Sequence, residues 1–272
     1  MHLSRPPIAT LQPFVERVWA GEAGPSDSPA VPRRELVLPT GSLHLVVRLA
    51  DRPLRVFRDA GDRVGFTLGT AVVGGPRAAP YLKDISHPVP SVGALLRPGA
   101  AAFLAGAPAG EFAGAHTPLV DVWGRAAVDT LGNRLAEAPS LAGRLDLFEA
   151  ALLARLDGLR RIDPLIAHAV TRLRFAVPVC EVAAECGLSH RHFTQRFRAA
   201  AGLKPKLWGR VVRFGRALDR LAAEPAIAWA ELAAAEGYAD QAHFTRDFRA
   251  FAGLSPGDYR RRAPANARHV TL

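Results

Sequence analysis

Two stretches near the C-terminal end hold arginine, glutamine, threonine and alanine at matching positions. Arg191, Thr194 and Gln195 stand in one, and Gln241, Ala242, Thr245 and Arg246 in the other. None of these side chains is a nucleophile or a metal ligand. They offer hydrogen bonds and apolar contact to flat partners. An arginine fork matches the O6 and N7 acceptors of guanine, a glutamine amide matches N6 and N7 of adenine, and alanine or threonine meets the methyl of thymine. Around them are Ser189, Arg198, Lys204, Lys206, Arg210 and Arg249, groups that hold phosphate oxygens and position a protein on a duplex without reading it.

The elements that must present these groups are written twice. Val182-Ala-Ala-Glu-Cys-Gly-Leu188 leads to His192-Phe-Thr-Gln-Arg-Phe-Arg198 and Gly202-Leu-Lys-Pro205; Leu232-Ala-Ala-Ala-Glu-Gly-Tyr238 leads to His243-Phe-Thr-Arg-Asp-Phe-Arg249 and Gly253-Leu-Ser-Pro256. The offset is 50 at the first glycine and 51 from His-Phe onward. Each copy predicts a short helix, a turn on Gly187 or Gly237, and a second helix capped by Ser189 or Asp240. At about 100° per residue, Phe193, Phe197, Ala200 and Ala201 share a buried face, and Arg191, Gln195 and Arg198 lie opposite with Thr194 on the flank. The second copy buries Phe244, Phe248, Phe251 and Ala252 and turns Ala242, Arg246 and Arg249 outward, with Thr245 flanking. A helix that enters the major groove reads bases from its first two turns. Between the copies, Leu207, Val211, Phe214, Leu218 and Leu221 predict a long helix over about 206–223, a strut of about 27 Å.

Upstream, the patterning changes to period two. Leu43, Leu45, Val47 and Leu49 alternate on one strand face, and short runs at 37–38, 54–57, 67–73 and 91–96 are bounded by Gly, Pro or Asp. Several short strands predict a barrel or sandwich, with short helices at 99–106 and 108–113. Residues 126–135 and a stripe of Leu141, Leu145, Phe148, Leu152 and Leu156 behind Ser140 predict two helices. The stripe suits packing on the β domain, or a dimer seam. The expected division is a β-rich domain over 1–123, a helical linker over 124–160 and a helical domain over 161–272, with the break at 157–163 and Asp163-Pro164 starting the next helix. Tyr81, His87 and Trp123 are candidates for lining a barrel pocket, and no effector residue is assigned.

Composition sets the remaining bounds. The 272 residues carry a formal charge of +10; residues 1–161 hold 18 Lys and Arg against 15 Asp and Glu, and residues 162–272 hold 17 against 10. A basic excess concentrated in the repeated region favours phosphate as a partner. No apolar run is long enough to span a membrane and the N-terminus has no secretory pattern, so a cytoplasmic protein is expected. Cys180 and Cys186 cannot complete a four-ligand zinc site, and they read as small packing residues. His192 and His243 lack companion ligands and read as packing or phosphate-contact groups. No metal or cofactor is expected.

At the residues quoted above, the chain resembles the AraC/XylS family of bacterial transcription regulators over about 163–262. That resemblance implies two helix-turn-helix units joined by a long helix, with double-stranded DNA as partner. Val37-Leu-Pro-Thr-Gly-Ser42, Gly75-Pro76, Leu96-Arg-Pro-Gly-Ala100 and Pro118-Leu-Val-Asp-Val-Trp-Gly124 resemble an N-terminal domain of some family members. This second resemblance implies a cupin-like domain that senses a ligand or mediates pairing. The chain departs from metal-binding cupins, since His44 stands alone where they carry a His-x-His pair. The whole is an α+β chain: a β-barrel or cupin-like domain with short helices, then an all-α domain. It is expected to be a transcription regulator, an activator or a repressor, with RNA polymerase, a small-molecule effector and a second copy of the chain as further candidate partners. An enzyme is not expected. DNA-alkylation repair proteins that share such a module resemble methyl acceptors with a four-cysteine zinc site, which two cysteines cannot supply.

Overall fold

The structure, a computed structural model, describes residues 1–23, 33–156 and 161–272. The expected break at 157–163 therefore lies in part, at 157–160, outside the described residues.

The N-terminal region forms two antiparallel sheets, the expected barrel or cupin-like β domain left unclosed. The larger runs β1 (His2–Arg5), β2 (Val15–Gly21), β9 (Ser91–Leu96), β4 (Leu43–Arg48), β7 (Ala71–Gly74) and β10 (His116–Pro118); the smaller runs β11 (His269–Thr271), β3 (Arg34–Val37), β8 (Tyr81–Asp84), β5 (Arg55–Phe57) and β6 (Phe66–Thr67). The apolar run at 67–73 is thus two strands in different sheets, separated around Gly69. The alternation in β4 sorts its faces: Leu43, Leu45 and Val47 are buried in the main core, while His44, Val46 and Arg48 are half-buried on the other side. A small apolar cluster of Leu54, Val56 and Val72 joins the sheets.

Helices cover the core face of the larger sheet. Helix α1 (Ala101–Leu104) follows β9; residues 108–113, expected as a helix, form turns around Pro108 and Gly110. Helix α2 (Val120–Trp123) leads into α3 (Arg125–Glu137) and α4 (Leu141–Leu153), the last capped by the Ser140 hydroxyl accepting from the Gly143 amide at 3.0 Å. Leu145, Phe148 and Leu152 are fully buried against the sheet. The α4 stripe is therefore occupied within its own domain. Glu149, buried beside it, accepts from Arg5 at 2.6 Å and from the Ile8 amide at 2.7 Å; a buried carboxylate needs such partners.

The helical region follows as α5 (Pro164–Arg174), α6 (Val179–Glu185), α7 (His190–Ala201), α8 (Pro205–Ala223), α9 (Trp229–Ala235), α10 (Gln241–Ala252) and α11 (Pro256–Arg262). Asp163 caps α5, accepting from the Leu165 amide at 3.0 Å. The chain then returns to the N-terminal domain, since β11 pairs with β3 in the smaller sheet. The expected helical domain at 161–272 thus ends in a strand of the other domain. Val270 is buried in the helical core, Arg268 bonds Asp219 of α8 at 2.6 and 3.0 Å, and His269 donates to Glu35 at 2.7 Å. Burial alone would push the Glu35 carboxyl up, but His269 and Lys83 pull it down to about 2.

The two regions also meet at the end of α7. Its carbonyls at Ala199 and Ala200 accept from the amides of Gly110 at 3.0 Å and Gly99 at 2.9 Å. Helix ends leave such carbonyls without intrahelical partners, and here the other domain supplies them. Gly202, with φ of 79°, stops α7, and a β-carbon there would lie 2.7 Å from Pro76. That position requires glycine both for its turn and for its close approach.

His44 and His116 flank Gly74 on the half-buried face of the larger sheet. Burial, followed by nearby cations, lowers His44 to about 3; burial and then Arg77 lower His116 to about 3. Both rings stay neutral in the folded chain, while their unfolded counterparts titrate near 6.5. The unfolded chain therefore takes up protons that the folded chain refuses. Stability is full above about pH 6.5 and falls as pH drops toward 3. Thermal unfolding temperature is expected to decline from pH 6.5 to pH 4, and His116→Gln should flatten that decline; an equal slope in the variant would show the ring is not responsible.

Candidate nucleic-acid interface

The two copies fold alike. In each, a seven-residue helix (α6 or α9) ends in a turn on a glycine of positive φ, 66° at Gly187 and 73° at Gly237. Without a β-carbon, glycine adopts this left-handed conformation at little cost. The following twelve-residue helices start from side-chain caps: Ser189 accepts from the His192 amide at 3.3 Å and Asp240 from the His243 amide at 2.6 Å. Phe193 and Phe197 are fully buried under α7, and Phe244, Phe248 and Phe251 under α10. Ala200, expected in that buried face, is half-buried.

Carboxylate pairs anchor each short helix to the longer helix before it. Glu185 of α6 binds Arg172 of α5 at 2.7 Å and His168 at 2.7 Å. Glu236, behind α9, binds Arg216 of α8 at 2.9 Å. The second helices are anchored at equivalent positions by opposite charges. Arg196 of α7 holds Asp163 at 2.7 Å, and Asp247 of α10, 51 residues on, holds Arg210 of α8 at 2.6 Å. Asp247 is only 3% exposed and also faces Arg213 at 3.7 Å and His243 at 3.8 Å. These ties fix the angle at which each second helix presents its outer face.

On those faces Arg191, Gln195, Gln241, Ala242 and Arg246 are exposed, as are Ser189, Arg198, Lys204, Lys206 and Arg249. Three expected site residues are placed otherwise. Thr194 is half-buried, with its hydroxyl enclosed and without a hydrogen-bond partner among the described residues; a flank position on a closely packed helix turns inward. Thr245 is half-buried at the equivalent place. Arg210, expected at phosphate, is engaged by Asp247 and lies 5.2 Å from the Phe251 ring centroid. His192 is exposed, whereas His243 is half-buried and packs edge-on against Tyr238 at 5.3 Å. Cys180 is exposed and Cys186 half-buried. The carboxylates that brace the helices, Asp247 above all, were not distinguishable in the sequence from solvated charges.

Helix α8, with 19 residues, spans about 28 Å at 1.5 Å per residue. Its Trp208, Val211, Phe214, Leu218 and Leu221 are buried between the copies, so the two units share one core and one strut. Two capped helices with basic outer faces, each behind a glycine turn, define a double helix-turn-helix module, and the chain is a DNA-binding transcription regulator. Residues 182–262 match the family model described as a helix-turn-helix domain, and residues 4–118 match a domain of unknown function (DUF6597). The helix-turn-helix match falls within the stretch, 163–262, that resembles the AraC/XylS family.

No curated protein sequence matches the chain. Among solved structures it is similar to ToxT from Vibrio cholerae, with 7% identity over 97% of this chain and 99% of that one and a TM-score of 0.47. It is likewise similar to ToxT bound to (E)-4-(8-methylnaphthalen-1-yl)but-3-enoic acid, at 10% identity over 86% and 98% with a TM-score of 0.46. A third similarity is to the AraC-like transcriptional activator CuxR, at 15% identity over 75% and 74% with a TM-score of 0.22. No helix among the described residues is long and apolar enough to cross a membrane.

Proposed function

We propose that the chain reads a specific DNA site by inserting α7 and α10 into adjacent major grooves of one duplex face. The supporting observation is the matched pair of exposed, capped helices on a shared strut. Consecutive grooves lie about 34 Å apart, close to the length of α8. In this reading Arg191 and Gln195 contact bases from α7, and Gln241, Ala242 and Arg246 from α10. Thr194 and Thr245 contribute only their flanking methyls. Ser189, Arg198, Lys204, Lys206 and Arg249 hold phosphates, and Arg210 positions α10 through Asp247.

The N-terminal domain modulates this binding through its direct contacts with the reading domain. It bonds the end of α7 at Gly99 and Gly110, and it shares β11. A change in its packing therefore alters where α7 can point. Small-molecule control fits this arrangement, as does a cytoplasmic location beside the chromosome. Contact with RNA polymerase and pairing of two copies belong to the same reading at lower resolution, with no residues assigned. Selection of bound sequences from a random DNA pool by the full chain tests the proposal. Two conserved elements centred about one helical turn apart are expected; a single short element would leave only one helix as a reader.

A further inference from the structure

The segment from Gly75 to Pro80 carries the chain from β7 of the larger sheet to β8 of the smaller one. On its way it crosses the helical domain and reaches the ends of both reading helices. Pro76 is buried against Gly202, which stops α7, and a β-carbon on that glycine would lie 2.7 Å from the proline ring. Pro80 stands at Gly253, which stops α10, where the matching distance is 3.8 Å. Gly202 and Gly253 hold the same place in the two copies, each with a left-handed backbone. Between the prolines, Ala78 packs on the helical core and Ala79 is exposed.

The segment is stiff for reasons its residues supply. Each proline fixes φ near about −65°, which leaves little freedom to the three residues between them. Its first half is fastened to the loop at 108–115. The Gly75 amide donates to the Ala115 carbonyl at 2.9 Å, and the Gly114 amide donates to the Pro76 carbonyl at 2.9 Å. A β-carbon on Gly75 would overlap the Phe112 carbonyl, so only glycine allows this approach. Arg77 donates to the Ala115 carbonyl at 2.9 Å and lies 4.4 Å from the centroid of the Tyr81 ring, bracing the loop to the start of β8. Tyr81, expected in a barrel pocket, thus belongs to this brace. Of the other two residues expected there, Trp123 is buried with its indole donating to the Leu104 carbonyl at 2.8 Å, and His87 is exposed.

We propose that Pro76–Pro80 is a spacer bar through which the N-terminal domain sets the tilt of both reading helices together. Its ends continue into different sheets, so a shift of one sheet against the other moves Pro80 relative to Pro76. The two helix ends then follow, since each lies against its own proline. Helix α8 fixes the distance between the heads, whereas the bar acts at their C-terminal ends and sets their angle. Its bearing on DNA rests on the function proposed above; the mechanical coupling does not.

Amide hydrogen exchange on the full chain, without DNA, tests this coupling. Pro76→Ala takes the ring away from Gly202 and should speed exchange in the last turn of α7 by about tenfold, through easier local opening. Through the bar it should also speed exchange in the last turn of α10, by at least about threefold. Coupling is reciprocal, so Pro80→Ala should act on α7 as well, and this variant carries the test if Pro76→Ala does not fold. A single glycine inserted after Ala79 keeps both prolines but breaks the fixed length, at an exposed position that accepts it. In that background each substitution should act on its own helix alone. Effects confined to one helix in the original chain would overturn the proposal. So would a distant effect that survives the insertion, because it would then travel through α8.

Discussion

Exchanging Asp247 for alanine is expected to destabilise the chain by about 3 kcal/mol, the lower end of the range for removing one partner of a buried ion pair. The lower end applies because the Arg210 side chain is 36% exposed and recovers some hydration. Arg213 recovers less, with 14% exposure, and already carries a buried Nε without a partner among the described residues. Removing Asp247 leaves both guanidiniums facing a gap on the inner side of α10. The variant is therefore expected to lose DNA affinity beyond its loss of stability, since nothing then sets the tilt of Arg246. Denaturant unfolding measures the first effect. A cost under about 1 kcal/mol would place the pair in the class of exposed ion pairs and remove the brace.

The second large effect concerns reading itself. Arg191 and Arg246 are exposed and carry no ion pair among the described residues, so their replacement leaves folding intact. Each substitution by alanine should cost about 1–3 kcal/mol of binding to a selected site and relax the preference at one base pair. The heads are separate, so the costs add, and the double variant should bind at least about thirtyfold more weakly. Lys206→Ala differs in kind: it should weaken all sequences alike and reduce the salt slope by about one. Binding titrations on selected and scrambled DNA distinguish these outcomes. An equal loss on both DNAs for Arg246→Ala would move Arg246 from the bases to the backbone.

The reading domain was legible because its rules are local. Glycine turns, Ser189 and Asp240 caps and a Phe-x-x-x-Phe spacing lie within one helix each, and each copy supports the other. The β domain was legible only where a strand keeps strict alternation, as β4 does. In β2 a register shift between Val15 and Arg17 breaks the two-residue period, hiding a seven-residue strand. Strand β11 has three residues and is defined by β3, more than 230 positions away, so nothing local marks it. The same holds for Asp247. In sequence it sits between Arg246 and Phe248 as one more charge on a helix, and only packing against α8 turns it inward. Arg210 and the two threonines were misplaced for this reason. A helical wheel orders the residues of one helix, but the neighbouring helix decides which flank is open.

Changing the distance between the two halves of a selected site tests the central claim most directly. Inserting five base pairs rotates one half by about half a helical turn, carrying it to the far side of the duplex from its reading helix. Because α8 is continuous and one face of it is buried between the copies, the two heads cannot follow. Affinity should fall at least about a hundredfold and return in large part when ten base pairs are inserted only if α8 bends, which its shared core opposes. Affinity that is indifferent to the five-base-pair insertion would contradict two helices held at one fixed separation.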